Sequence, residues 1–193
     1  ASRDASAENP DSKNRNDPIP SSSHPIKTVR MNRHRHTPGH QALRAGRTSL
    51  PGQCYLITTV CHQRDRHFLD WTTASAVASK LEEKCLWNGS RLLCWVLMPD
   101  HLHMLVELGE CAALSTLIRR IKSVTARAAN HATHRSGSVW MPGFHDHALR
   151  KEEALVDVAR YIISNPIRAG LVKEIGAYPY WNTVWEGDEG GLL

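Results

Sequence analysis

Arg91-Leu92-Leu93-Cys94-Trp95-Val96-Leu97-Met98-Pro99-Asp100-His101-Leu102-His103-Met104-Leu105-Val106-Glu107-Leu108 is two apolar runs divided by a Pro-Asp turn signal. Residues 91–98 are almost continuously apolar, as in a strand buried on both faces. Residues 101–108 have a strand's length, and the short connection makes the two runs hairpin partners. Side chains alternate faces along a strand, so His101 and His103 project from one face. Leu102, Met104 and Val106 then project from the other, where they can pack.

The pattern extends outward on both sides. Residues 53–61 (Gln-Cys-Tyr-Leu-Ile-Thr-Thr-Val-Cys) read as a strand. A helix is predicted over 72–87, with Ala74, Val77, Ala78, Leu81 and Cys85 on one face and Asn88-Gly89 as its stop. After the hairpin, a helix is predicted over 115–130. Leu114, Leu117, Ile118, Ile121, Thr125 and Ala128 face inward, and Arg119, Arg120 and Arg127 project the other way. Residues 139–149 read as a strand with an irregularity at Pro142-Gly143, and 151–165 as a further helix striped by Leu155, Val158, Ala159, Ile162 and Ile163. Strand, helix, strand, strand, helix, strand, helix is an α+β order: a ferredoxin-like split βαβ sheet with an added C-terminal helix carrying Tyr161. Such a plan hosts many activities, so function has to come from the site.

The domain is expected over 47–185 of the 193 residues, behind a disordered leader and basic arm at 1–46 and before a tail at 186–193. The leader is polar, and Met31 is a candidate native start. Between 27 and 47 lie Lys27, Arg30, Arg33, Arg35, Arg44 and Arg47 with no acidic residue, which suits phosphate tracking or a solubilising tail. The net charge of +5 and pI of about 9.1 favour nucleic acid or another anionic partner without choosing between them. No apolar run approaches the roughly 20 residues of a membrane span, and no signal-peptide core opens the chain. The five cysteines are odd in number and contain no Cys-x-x-Cys, which argues against a disulfide framework or zinc knuckle and for reduced thiols in a cytoplasmic protein.

Two imidazoles on one strand face can chelate one divalent ion. His145-Asp146-His147 offers a second such pair, but Arg150 and Lys151 beside it favour phosphate over a cation. His34 and His36 lie in the arm, where nothing rigid holds them. Tyr161 falls between the buried and solvent faces of its helix, held in place yet able to reach a substrate. Asn165 follows by four residues and Asp157 precedes by four, so either can add an oxygen donor, although Pro166 disturbs the helix at Asn165. By itself Tyr161 equally suits an amphipathic boundary residue.

Three segments then fall into register with one family. Met98-Pro99-Asp100-His101-Leu102-His103-Met104-Leu105 resembles the metal-binding segment of the REP-associated tyrosine transposases. Residues 160–172 (Arg-Tyr-Ile-Ile-Ser-Asn-Pro-Ile-Arg-Ala-Gly-Leu-Val) resemble their catalytic-tyrosine segment, and residues 140–150 (Trp-Met-Pro-Gly-Phe-His-Asp-His-Ala-Leu-Arg) their fourth-strand signature, with departures at Met141 and Ala148. Gly52 to Val60 is similar to their first strand, and the resemblance covers about Arg47 to Trp181. The family belongs to the HUH single-strand endonucleases, named for a histidine, a hydrophobic residue and a histidine.

The resemblance implies Tyr161 as nucleophile, His101 and His103 as ligands of Mg²⁺ or Mn²⁺, and Asn165 as a third ligand. It implies a nucleoid-associated protein, with cleavage and strand transfer of single-stranded or hairpin DNA at repeated extragenic palindromes through a 5′-phosphotyrosine. His145 and His147 become DNA contacts, with Arg47, Arg119, Arg120, Lys122, Arg127, Arg150 and Arg168 as a phosphate track. Trp140, Phe144 and Trp181 are candidate stacking partners for unpaired bases. A monomer and a dimer are equally compatible. A hairpin-binding protein that does not cut and a nuclease in which water attacks are the competing readings. An RNA-binding ferredoxin-like module expects exposed aromatics on the central strands, where residues 101–108 carry histidines and aliphatics.

Overall fold

A computed structural model describes residues 49–110, 113–150 and 153–185, all within the unit Gly46–Leu193. The expected leader, Arg47, Cys111, Lys151 and the tail from residue 186 lie outside the described residues. Five strands form one antiparallel sheet: β1 (Cys54–Val60), β2 (Arg91–Met98), β3 (His101–Glu107), β4 (His145–Ala148) and β5 (Trp181–Thr183), in the order β4-β1-β3-β2-β5. The first four strands stand in the split βαβ arrangement that the element order predicts. The helices are α1 (Trp71–Leu81), α2 (Leu114–Ala132), α3 (Leu155–Ile163) and the short α4 (Asn165–Arg168).

β3 is the central strand, and its alternation separates two cores. Leu102, Met104 and Val106 join Ile57, Leu97 and the apolar stripes of α1 and α2. Leu105 joins Cys94, Val96 and Met98 on the opposite face, under Ala159, Ile162 and Ile163 of α3. Leu102 is fully buried beneath α1 and α2. Leu102→Ala is therefore expected to cost about 2–5 kcal/mol. Urea unfolding monitored by circular dichroism would measure it, and a loss well below 1 kcal/mol would contradict this packing.

Several local features differ from the sequence expectation. Helix α1 stops at Leu81 rather than running to Trp87, because the Trp87 indole N–H folds back and donates to the Leu81 carbonyl at 2.8 Å. Lys84–Trp87 form a 3-10 turn, and Asn88 closes it in the left-handed region at φ 49°. In α2 the buried alanine is Ala129, not Ala128, four residues after Thr125. Of the strand expected over 139–149, only His145–Ala148 pairs with β1, while Trp140 makes an isolated bridge to Cys61. Between them Gly143 takes φ 77°, and Lys122 Nζ donates to the carbonyls of Met141 and Gly143 at 2.5 and 2.6 Å. The last predicted helix is described from Leu155 and ends at Ile163, so Asn165 falls in α4. Strand β5 has no counterpart in the sequence reading. It pairs Val96 with Trp181 and closes the β2 edge.

Candidate active site

His101 and His103 emerge from β3 on the face that α3 covers. Their ring centroids lie 4.7 Å apart with an interplanar angle of 85°. Each ring is held through Nδ1. His101 Nδ1 donates to Asp100 Oδ1 at 2.6 Å, and His103 Nδ1 is hydrogen-bonded to Thr58 Oγ1 at 2.8 Å. Thr58 reaches His103 because β1 and β3 pair these two residues directly. An ionised carboxylate only accepts, so in neutral His101 the lone pair sits on Nε2. The Thr58 hydroxyl can accept the Nδ1 proton of His103, which gives the same tautomer. A carboxylate or hydroxyl behind the imidazole is the usual support of a metal-ligating histidine.

The electrostatics keep His103 usable at neutral pH. His103 is buried, and burial pulls its pKa from 6.5 to about 3, helped by nearby His101 and Arg168 against the pull of Asp100. Its imidazole is therefore neutral and available as a ligand. Burial disfavours the Asp100 carboxylate, but the hydrogen bond and attraction from His101 and those from Arg64 outweigh it, and its pKa falls below the ordinary value. Arg64 reaches Asp100 Oδ2 at 3.4 Å. Asp100 and Thr58 are supports that sequence reasoning missed. The one advance signal is the position of Asp100 next to His101, in a Pro-Asp pair that reads as turn chemistry.

Helix α3 packs on β2 and β3 through Ala159, Ile162 and Ile163, leaving Tyr161 half-exposed at its margin. Arg168 NH2 donates to the Tyr161 hydroxyl at 3.2 Å, and the guanidinium carbon stands 4.2 Å from the ring centroid. The same guanidinium is near enough to His103 to help depress it, which ties Tyr161 to the histidine end of the sheet. Pro166 has no N–H for the Ile162 carbonyl. Asn165 Nδ2 fills that gap, donating to Ile162 O at 2.8 Å and Tyr161 O at 3.1 Å. The amide nitrogen of Asn165 is thus committed to the helix joint, and Oδ1 is the atom it can offer elsewhere. Asp157 is engaged by Arg160 at 3.1 Å.

The other candidates divide between the two faces. Thr58 pairs with His103 on one side and His145 on the other, so His145 and His147 share the face of the histidine pair. They stand two strands away, about 10 Å at the backbone. His147 Nε2 lies 3.4 Å from Glu153, whose other oxygen accepts the Arg150 N–H. Helix α2 covers the opposite face, so Arg119, Arg120, Lys122 and Arg127 are carried away from Tyr161. Arg120 donates to the Cys85 carbonyl at 2.7 Å, Arg127 to Ser123 at 2.6 Å, and Lys122 clips the 141–143 loop. Arg119 is exposed. Two of the proposed stacking aromatics are unsuitable. Trp140 is buried against α2, its indole donating to Thr125 Oγ1 at 3.0 Å, and Phe144 packs on the same core. Trp181 packs beside α3 on the histidine face.

The sheet carries a helix-borne tyrosine and a strand-borne histidine pair on one face, and similarity to known proteins gives the class, a DNA-processing enzyme. The family model described as "Transposase IS200 like" matches residues 51–165. The chain belongs to this family, whose members are DNA-cleaving enzymes. It is similar to the REP-associated tyrosine transposase of Escherichia coli K12, 32% identical over 89 residues, which cover 45% of this chain and 50% of that one. A Haemophilus influenzae protein provisionally classed with the REP-associated tyrosine transposases is 25% identical over 139 residues, covering 67% of this chain and 78% of the relative. The solved structure described as a REP-associated tyrosine transposase bound to a REP hairpin shares the fold, with a TM-score of 0.53 and 24% identity over 70% of this chain and 79% of that one. Among the described residues no helix is long and apolar enough to cross a membrane.

Proposed function

We propose that the chain cuts and rejoins single-stranded DNA at hairpins formed by repeated extragenic palindromes, acting on chromosomal DNA in the cytoplasm. The observation that carries this reading is the pair of imidazoles on one strand face, each held through Nδ1, beneath the helix that bears Tyr161. The domain responsible is residues 47–185, with Arg47 at its start and the basic arm ahead of it as further DNA contacts.

The donor chemistry fits Mg²⁺ or Mn²⁺. Among the described residues no three His, Cys, Asp and Glu side chains converge, so an ion here would take Nε2 of His101 and His103, Oδ1 of Asn165 and oxygens of the DNA. When bound, the ion supplies Lewis-acid polarisation of the scissile phosphate. Tyr161 supplies the nucleophile. Its phenolic oxygen attacks phosphorus, the bond to the 3′-oxygen breaks, and a 3′-hydroxyl and a 5′-phosphotyrosine result. The covalent link conserves the phosphodiester, so a second 3′-hydroxyl can reverse the step without ATP. His145, His147, Arg150 and Trp181, on the same face or beside it, are the nearer DNA contacts. Arg119, Arg120, Lys122 and Arg127 would meet only DNA that wraps round to α2.

The test mixes the protein with end-labelled hairpin oligonucleotides of its host's repeated palindromes and Mn²⁺. The expected product is a band that resists boiling in detergent, with the DNA attached to the peptide containing Tyr161. Cleavage without that band would mean that water attacks, and binding without cleavage would mean a non-cutting hairpin binder. Asp100 is expected to matter through His101. Asp100→Ala should weaken Mn²⁺ binding about 10- to 100-fold. Titration followed by Mn²⁺ electron paramagnetic resonance would read this, and unchanged affinity would remove Asp100 from the site.

A further inference from the structure

Arg168 contacts Tyr161 directly, and its placement goes beyond that of a phosphate contact. A side chain that only grips backbone phosphate needs to extend into the groove. Here the guanidinium lies against the phenol ring, 4.2 Å from its centroid, with NH2 3.2 Å from the hydroxyl oxygen. Stacking fixes the planar group, so the hydrogen bond is in place before any reaction begins. The local fold makes this possible. Ser164 keeps helical angles between α3 and α4, so residues 161 and 168, seven apart, lie on one face nearly two turns on. Asn165 patches the Ile162 carbonyl that Pro166 leaves without a donor, and so holds the joint that presents Arg168 to Tyr161.

Resting on the reading of Tyr161 as nucleophile, we propose that Arg168 is a catalytic residue that stabilises negative charge on the Tyr161 oxygen in both directions of the reaction. In cleavage the Tyr161 oxygen–phosphorus bond forms and the phosphorus–3′-oxygen bond breaks. The phenolic proton passes to water, and the departing 3′-oxygen gains one from water. In rejoining, the 3′-hydroxyl attacks and the tyrosine oxygen leaves with the electron pair of its bond to phosphorus. Charge develops on the same phenolic oxygen each time, and the Arg168 donor already aimed there costs no reorganisation. One group acting on one shared transition state must slow both directions alike when it is removed.

The experiment compares wild type, Arg168→Ala and Arg168→Lys with saturating labelled hairpin oligonucleotide and Mn²⁺, under single turnover. Hairpin affinity is measured separately in a Tyr161→Phe background. Arg168→Ala should form the covalent adduct about 100-fold more slowly or worse. Its affinity should change less than about threefold, and rejoining from isolated adduct should slow by the same factor as cleavage. Arg168→Lys should recover part of the rate, because it keeps a charge and a donor but not the planar stack. A wild-type rate at saturating DNA, with or without weaker binding, overturns the inference and leaves Arg168 a phosphate contact. Rejoining left intact while cleavage falls overturns it as well, as does an Arg168→Lys with a wild-type thermal melt that is no faster than Arg168→Ala. If wild type forms no adduct, the nucleophile reading itself falls, an outcome distinct from the others.

Discussion

Tyr161→Phe is expected to abolish the covalent protein–DNA adduct, lowering cleavage about 10,000-fold or more, while hairpin binding stays near wild type. The size follows from losing the attacking atom, since removal of a nucleophile is among the costliest single changes an active site can suffer. Phenylalanine is the informative replacement. It keeps the ring under the Arg168 guanidinium at 4.2 Å and leaves the apolar stripe of α3 untouched. The hydrogen bond from Arg168 is lost at a partly exposed hydroxyl, so stability should change by no more than about 1 kcal/mol. Adduct formation and gel-shift affinity on the same preparation measure both quantities. Cleavage surviving at more than a few per cent would show that water or another side chain attacks. Weaker hairpin binding with unchanged chemistry would reduce Tyr161 to a DNA contact.

His103→Ala is expected to have the second largest effect, lowering Mn²⁺-dependent cleavage about 1,000-fold. One imidazole of the pair disappears, and His101 alone is a poor chelator. The burial that depresses His103 also predicts the acid response of the protein without metal. An unfolded histidine titrates near 6.5, and folded His103 near 3. Between those values the unfolded chain binds the extra proton, so stability falls as pH drops from about 6.5 toward 3. Above 6.5 this residue contributes no pH dependence. Urea midpoints in EDTA should therefore decline from pH 7 to pH 4.5 more steeply in wild type than in His103→Ala. Parallel declines would mean that His103 is more hydrated than its burial indicates. The same low pKa means that protons do not compete with a metal for His103 near neutral pH.

The apolar runs on either side of Pro99-Asp100 were enough to read the central hairpin, and alternation along residues 101–107 was enough to put both histidines on one face. Those are local properties, since a strand's period of two and a helix's period of 3.6 are written in the order of residues. The same holds for Asn165-Pro166, which announced an interrupted helix. Family resemblance added the link between Tyr161 and the histidines, which no periodicity contains.

Other features depended on partners far along the chain. Strand β5 is only three residues long and forms because the edge of β2 offers it hydrogen bonds. The strand expected over 139–149 shortens because Lys122, from a distant helix, captures the carbonyls at 141 and 143. Thr58 supports His103 across 45 residues of sequence, by a register that only strand pairing sets.

Charge was the least legible property. Arg119, Arg120, Lys122, Arg127 and Arg168 look alike as basic residues, yet the sheet divides them. Four ride on α2 behind the face opposite the histidines, and Arg168 lies against the candidate nucleophile. A sequence determines which residues are cationic and which elements carry them. Only the packing of those elements on two sides of one sheet decides which cation meets the Tyr161 oxygen, because electrostatic influence falls with distance in space and not with distance along the chain.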